Sequence, residues 1–227
     1  MTVDDIQSRV AAILDQDEDT DNISTDDYSL RLIHINRRER TWAETGKWEA
    51  LIKEYNTLTS TSSGNCSISL PSDFRMLSSF PVITHDGTNS DEFTQIRPQE
   101  ESRLDPLSQR YVKILGNENT GHTMVVNTTN NDRQLPSGAS IKVLYFSTPT
   151  SHTSPANTIF CPNPEYIVQG VIADIWEAQE DTRFQGAKAE ANMILSNMLE
   201  FENTPSEAAY NKQVKSVEQK YNYRWGK

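Results

Sequence analysis

The apolar positions of this chain change period twice. Val3, Ile6, Val10 and Ile13/Leu14 recur every three or four residues, which predicts an amphipathic helix near the N-terminus. Thr2 stands where the N-cap is needed and Asp5 three residues on, the spacing of a capping box. This helix runs into an acidic stretch, "DQDEDTDNISTD", Asp15 to Asp26. A second helix is expected after Ser24 and Thr25, either of which can cap it, with Asp26 and Asp27 in the first turn where the helix dipole favours negative charge. Its stripe is Tyr28, Leu32, Ile35 and Trp42, interrupted by a charge at Glu39. The two elements make an αα-hairpin.

From about Tyr55 to Thr150 the period shortens to two. "CSISL" puts Cys66, Ile68 and Leu70 on one face, and "SIKVLYF" does the same with Ile141, Val143 and Tyr145; "YVKILG" alternates likewise. The runs "HDGTNSD", "GNENTG" and "NNDRQLPSG" between such segments are turn chemistry. This is an antiparallel β region with long polar loops. Helical spacing is expected again after "CPNPEY": Ile167, Val168, Val171, Ile172, Ile175 and Trp176 form a dense apolar face. A further helix after "EDT" carries Phe184, Ala187, Ala191, Ile194/Leu195, Met198 and Phe201. "TPSE" then offers Thr204 as cap, Pro205 at the first helical position and Glu207 at the capping-box position. The helix it opens has a thin stripe, Tyr210, Val214, Val217 and Tyr221, and the chain ends in the aromatic and basic "YNYRWGK".

The pattern therefore reads as α+β: a helical bundle built from an N-terminal hairpin and C-terminal helices, an inserted antiparallel β region, and an extended C-terminal arm. The expected divisions are 1–54 for the hairpin, 55–150 for the β insertion, 151–203 for the helices that complete the bundle, and 204–227 for the last helix and arm.

Composition narrows the function. Only 35% of the 227 residues are hydrophobic, which points to much exposed surface and segments that gain partners on assembly. The formal net charge is −11 with no Lys/Arg block, so tight binding to phosphate is not expected. Cys66 and Cys161 lie far apart with no metal-ligand spacing and read as reduced packing residues. No apolar run approaches the ~20 residues that span a bilayer, and "MTVDDIQSRV" has early acids and no apolar core, so neither a membrane anchor nor a signal peptide is expected.

Candidate chemistry is sparse. Asp15, Asp17, Asp19 and Asp21 fall at the first ligand positions of a calcium loop, but Thr20 occupies the position that requires Gly, and Asp26 the one that takes a bidentate Glu. A solvated acidic loop is the favoured reading. His34, His85, His122 and His152 are scattered, and no H-E-x-x-H, G-x-S-x-G or P-loop occurs. His34 reads as a packing or surface residue, and Gly64, Gly116 and Gly121 as turn glycines. No cofactor is expected. The densest basic cluster is Arg37, Arg38 and Arg40, read as the polar face of the second helix paired with nearby acids, with pairing between subunits as the alternative.

Four segments in order resemble head-to-tail adaptor proteins of tailed bacteriophages. "ILDQDEDTDNISTDDYSLRLIHINRRERTWAETGKW" is similar to their N-terminal hairpin, in which a helix ends in Leu and an acidic turn, Ser/Thr and acids open the next helix, and an Asn-Arg pair follows: here Leu14, Asp15, Asp17, Ser24, Asp26, Asp27, Asn36 and Arg37. "YNTLTSTSSGNCSISLPSDFRML" resembles a β segment ending in a Leu-Pro-x-Asp-Phe turn, Leu70, Pro71, Asp73 and Phe74. "ASIKVLYFSTPTSHT" and "PNPEYIVQGVIADIWEAQEDTRFQGAKAEANMIL" resemble the closing strand and the paired helices. Arg38 departs from the pattern, standing where these proteins usually have a small apolar residue.

The resemblance implies a non-enzymatic structural virion protein in the neck between head and tail, assembled in the host cytoplasm. It implies a ring of commonly twelve copies beneath the portal, which extends the DNA channel, lets DNA pass without specific binding, and presents a surface to tail or nozzle proteins. Candidate portal or subunit contacts are Tyr210, Val214, Val217, Tyr221, Tyr223, Arg224 and Trp225 in the arm, of which Tyr221, Tyr223, Arg224 and Trp225 are types enriched in interface hot spots, with Arg37, Arg38 and Arg40. The alternative is a ligand- or calcium-binding module of a virion surface or secreted protein.

Overall fold

Capping, periodicity and burial can be compared directly in a computed structural model of the chain, which describes residues 1–14, 24–59, 66–78, 82–85, 89–97, 111–127 and 140–203. The chain divides into two compact units. One joins Met1–Arg38 to the chain from Thr153 onward; the other is Glu39–His152.

The first unit is helical. Helix α1 (Val3–Leu14) opens with the expected capping box: the Thr2 N–H donates to Asp5 Oδ2 at 2.7 Å and the Asp5 N–H donates to Thr2 Oγ1 at 3.2 Å. These hydrogen bonds to Thr2 hold the Asp5 carboxyl below its ordinary pKa. Val3, Ile6, Val10 and Ala11 are buried, and α1 packs on α3. Ahead of it, the Val3 N–H donates to Asn157 O (2.9 Å) and the Ile159 N–H donates to Met1 O (3.1 Å), tying the N-terminus to the segment before α3.

Helix α2 (Thr25–Thr45) opens with a second reciprocal cap, Ser24 with Asp27: the Asp27 N–H donates to Ser24 Oγ at 3.1 Å and Ser24 Oγ donates to Asp27 Oδ2 at 2.6 Å. Helix α3 (Pro164–Ala178) starts inside "CPNPEY" and not after it, because Asn163 accepts from the Glu165 N–H (3.2 Å) and Pro164 takes the first turn, where a missing N–H costs nothing. Tyr166, Ile167, Val168, Val171, Ile172, Ala173 and Ile175 are all buried, which makes α3 the axis of the unit. A tight turn through Glu180, at φ 59°, leads to α4 (Phe184–Asn203), which packs along α3. Among the described side chains of α4, Ala187 and Ala191 are the buried ones. Phe201, expected on the buried stripe, is instead 83% exposed, because the close approach of α4 to α3 runs through its two alanines and leaves the large side chains at the margin or outside.

The second unit begins with the end of α2 and a short 3-10 turn, Glu49–Leu51, and the remaining elements among its described residues are strands. Its strands are β1 (Ile52–Thr59), β2 (Cys66–Ser69), β3 (Phe74–Leu77), β4 (Val82–His85), β5 (Asn89–Glu92), β6 (Thr94–Ile96), β7 (Tyr111–Asn117), β8 (Gly121–Asn127) and β9 (Ser140–Ser147). They form two open sheets: β1-β9-β4-β5, with β3 also on β9, and β2-β8-β7-β6. The pairings are antiparallel except β6 with β7, which lie parallel. The alternation holds for Ile68 and Leu70 and for Ile141, Val143 and Tyr145, but not in "YVKILG", where Tyr111 and Val112 are both buried and Leu115 is exposed, as expected of a strand that leaves the core along its length. Ile68, Phe74, Leu77, Val112, Met124, Val126, Ile141, Val143 and Tyr145 join in one buried cluster drawn from both sheets. The β7–β8 hairpin needs its glycines: Gly116 lies at φ 94°, and a Cβ there would sit 2.1 Å from Gly121 O.

The end of α2 is secured by side chains from outside the helix. Trp42 and Trp48 stack at 5.2 Å and Trp48 Nε1–H donates to Trp42 O at 2.7 Å. Arg75 on β3 donates to the carbonyls of Ala43 and Gly46. Helix-terminal carbonyls that lack an intrahelical partner are thereby satisfied.

A polar latch closes the turn before β3. Asp73 accepts from Tyr145 Oη (2.9 Å) and from Lys53 Nζ (2.6 Å). Burial pushes the Asp73 carboxyl up, but the hydrogen bonds from Lys53 and Tyr145 outweigh it and leave the pKa below the ordinary value. Burial, then the carboxylate, push the Tyr145 phenol up to about 12. The carboxylate's contribution to stability is present above its unfolded pKa and is lost as pH falls through the lowered one. The phenol's is full below ~10 and is lost as pH rises through its raised value. At neutral pH the bond is intact, so Tyr145→Phe is expected to destabilise by about 2 kcal/mol in urea unfolding. Spectrophotometric titration should lose the phenol that ionises near 12.

Candidate assembly surface

Of the residues singled out from the sequence, Tyr210, Val214, Val217, Tyr221, Tyr223, Arg224 and Trp225 lie outside the described residues, as does the acidic segment 15–23. Asp26 is exposed in the first turn of α2. Among the described residues no group of three or more His, Cys, Asp or Glu could hold a metal ion, and no helix is long and apolar enough to cross a membrane. Cys161 is a buried thiol, not a half-cystine, and donates to Asn163 O at 3.3 Å.

The three arginines of "RRER" have separate surroundings. Arg37 is exposed. Arg40 donates to Glu44 Oε1 (2.9 Å) and Glu118 Oε2 (2.6 Å) with its side chain half exposed, a pairing worth a fraction of a kcal/mol. Arg38 turns inward. Its guanidinium is bidentate on Asp174 of α3, through Nε at 2.9 Å and through Nη2, and His34 Nδ1 lies 3.3 Å from the same carboxylate. Burial raises the pKa of Tyr166, while its hydrogen bond to Arg38 pulls the other way. The stem of Arg38 crosses Gly170, where a Cβ would stand 2.8 Å from Arg38 Cδ. The bulky residue at 38 is thus accommodated by a missing side chain at 170. Neither Gly170 nor Asp174 is marked by local sequence, since each gains its role only from a residue more than 130 positions away.

The helical unit also carries open apolar surface. A cleft of about 170 Å³ lies where the end of α1, the start of α2 and the end of α3 meet, walled by Leu14, Leu30, Ile175 and Trp176. Arg31 and Arg183 stand at it, with Asp27 and Gln179. The Arg183 guanidinium lies 4.5 Å over the Trp176 ring and is itself held by Asp181 Oδ2 at 2.6 Å. Leu30 and Ile33 are exposed on α2, and Met193 and Phe201 on α4. The run "MILSNMLEF" in α4 spreads apolar residues over more than one helical face, a signal of a second contact surface that a single-stripe reading passes over.

The helical unit leaves large apolar side chains uncovered and the β unit presents two open sheets, surfaces of the kind by which a structural subunit meets other chains. The SU10 adaptor protein family model matches residues 1–214, and the chain belongs to that family of head-to-tail adaptors. Its role is structural and non-catalytic, as an oligomeric ring that meets portal and tail in the neck of the virion. No curated protein matches the chain in sequence.

Proposed function

We propose that this adaptor closes into a ring of about twelve copies under the portal, by head-to-tail contacts that a rotation brings to closure. The ring continues the DNA channel and offers its far side to tail or nozzle proteins. The family match over residues 1–214 carries this reading. The net charge of −11 supports passage of DNA without adhesion, since phosphate is repelled within a Debye length of about 8 Å at physiological salt. The arm supplies the portal contact, through the stripe Tyr210, Val214, Val217 and Tyr221 and the tip Tyr223, Arg224 and Trp225. Arg37 and Arg40, both exposed, are the arginines of the cluster placed for an intersubunit contact, while Arg38 turns inward onto Asp174.

Electron microscopy of the purified chain mixed with its cognate portal, with native mass spectrometry for copy number, tests the ring. Caps of uniform copy number on the portal are expected; a monomer indifferent to the portal sinks the proposal. Ending the chain after Asn203 is expected to abolish portal binding while leaving the helical melt in place, and unchanged binding by the truncated chain would remove the arm from the contact.

A further inference from the structure

The end of α4 is thinly covered. From Met193 to Phe201 six of nine residues are large and apolar (Met193, Ile194, Leu195, Met198, Leu199 and Phe201), and none of the six is buried. A helix apolar around so much of its circumference belongs between partners, yet α3 meets α4 through Ala187 and Ala191, nearer its start. The sequence that follows suits a second partner. Thr204 and Pro205 form a two-residue link, an N-cap and a first-turn proline, and so short a link makes consecutive helices antiparallel neighbours. Tyr210, Val214, Val217 and Tyr221 then recur at spacings of four, three and four, a single apolar seam.

We propose that residues 205–221 fold back in cis on the flank of α4 that carries Met193, Ile194 and Phe201, and that the arm so docked is a strap that portal binding must release. Length and charge favour this occupant. As a helix, residues 205–221 span about 25 Å, against about 30 Å for the whole of α4. Counted back from the link at 1.5 Å per residue, Val214 comes level with Met193 and Ile194, and Lys220 falls within about 3 Å of the level of Glu190. Glu190 is exposed on the same flank and has no ion-pair partner among the described residues. Residues 204–227 carry five Lys/Arg against two Glu, while the rest of the chain carries 30 Asp/Glu against 16 Lys/Arg. The seam covered by docking is the one that the adaptor reading gives to the portal, and it cannot serve both at once. A free copy is therefore closed, and the portal takes only the fraction whose arm has let go. The contact stands on α4 and the sequence after it; its part in assembly rests on the adaptor reading.

Hydrogen exchange read by mass spectrometry on the full-length free chain tests it. Amides in 206–221 are expected to exchange about tenfold more slowly than in an unstructured peptide of the same sequence. The double variant Met193→Glu, Phe201→Glu changes two exposed positions outside the portal seam. It should restore the unstructured rate while the α3 amides keep their protection. Val214→Glu, on the arm side of the seam, should free the arm in the same way. A strap closed ten to one leaves about one copy in ten competent, so the double variant should bind the portal about tenfold more tightly than the wild type. Unstructured rates across 206–221 in the wild type overturn the proposal, as does protection that survives either variant. Protection that fades on dilution would place the arm of a second copy on α4, and also overturns it. Equal portal binding by wild type and double variant would mean that the arm is not held back, and the strap falls. Protection lost as expected, with neither form binding the portal, would instead count against the adaptor reading and leave the contact standing.

Discussion

Replacing His152 with alanine is expected to lower the unfolding free energy of the β unit by about 2–3 kcal/mol, the range for removing a buried hydrogen-bond partner together with a packed ring. Glu39, which interrupts the stripe of α2, is 1% exposed, and His152 is 4% exposed. His152 Nε2 lies 2.5 Å from Glu39 Oε2. The two are the first and last residues of the unit, so their contact joins the point where the chain enters it to the point where it leaves. Alanine at 152 removes a hydrogen-bond partner from the buried Glu39 carboxyl group and leaves a cavity where the imidazole packed. Glu39→Gln should cost much less, about 1 kcal/mol, because the amide keeps an oxygen acceptor and a donor but no charge to desolvate. Urea unfolding followed by tryptophan fluorescence, which reports on the buried Trp42 and Trp48, measures both. Equal, small effects of the two substitutions would mean that the pair is not what holds the ends of the unit together.

The second large effect is a coupling. Arg38→Ala is expected to destabilise the helical unit by about 3 kcal/mol, because it strips the Asp174 carboxylate, 9% exposed, of its bidentate partner. Gly170→Ala is expected to cost about 1–3 kcal/mol on its own, since the new methyl stands 2.8 Å from Arg38 Cδ and the arginine is held by Asp174 and cannot swing aside. In the Arg38→Ala background the same Gly170→Ala change should stabilise by up to about 1 kcal/mol, the difference in helix propensity between Gly and Ala. A change of sign across the cycle, read from thermal or urea melts, is the expected signature of neighbours in contact. Additive effects would mean that Gly170 is not there to make room for Arg38.

These two sites mark the line between what was legible in the chain and what was not. The capping boxes at Thr2 and Ser24, the stripe of α1, the dense face of α3 and the alternation of "SIKVLYF" depend on residues within a turn or a strand of one another. Periods of 3.6 and two, with a cap at i and an acid at i+3, are enough to find them. The resemblance to head-to-tail adaptors also follows from linear order, and the family match over residues 1–214 agrees with it. By itself, then, the sequence determined the helices up to Asn203, the β character of the middle of the chain, the absence of a recognisable catalytic motif, and the family.

The tertiary structure decided which exceptions to the pattern matter. Glu39 breaks a stripe until His152, 113 residues on, arrives beside it. Arg38 is out of place until Gly170 and Asp174 make room and charge for it. Strand β9 carries β1 on one side and β3 with β4 on the other, and β6 lies parallel to β7, neither of which follows from alternation within a strand. Phe201 has a place in a helical stripe, yet whether that stripe is covered depends on how far α3 extends beside it. Local propensity and periodicity act over a few residues, whereas burial and charge pairing are set by chain segments that only folding brings together.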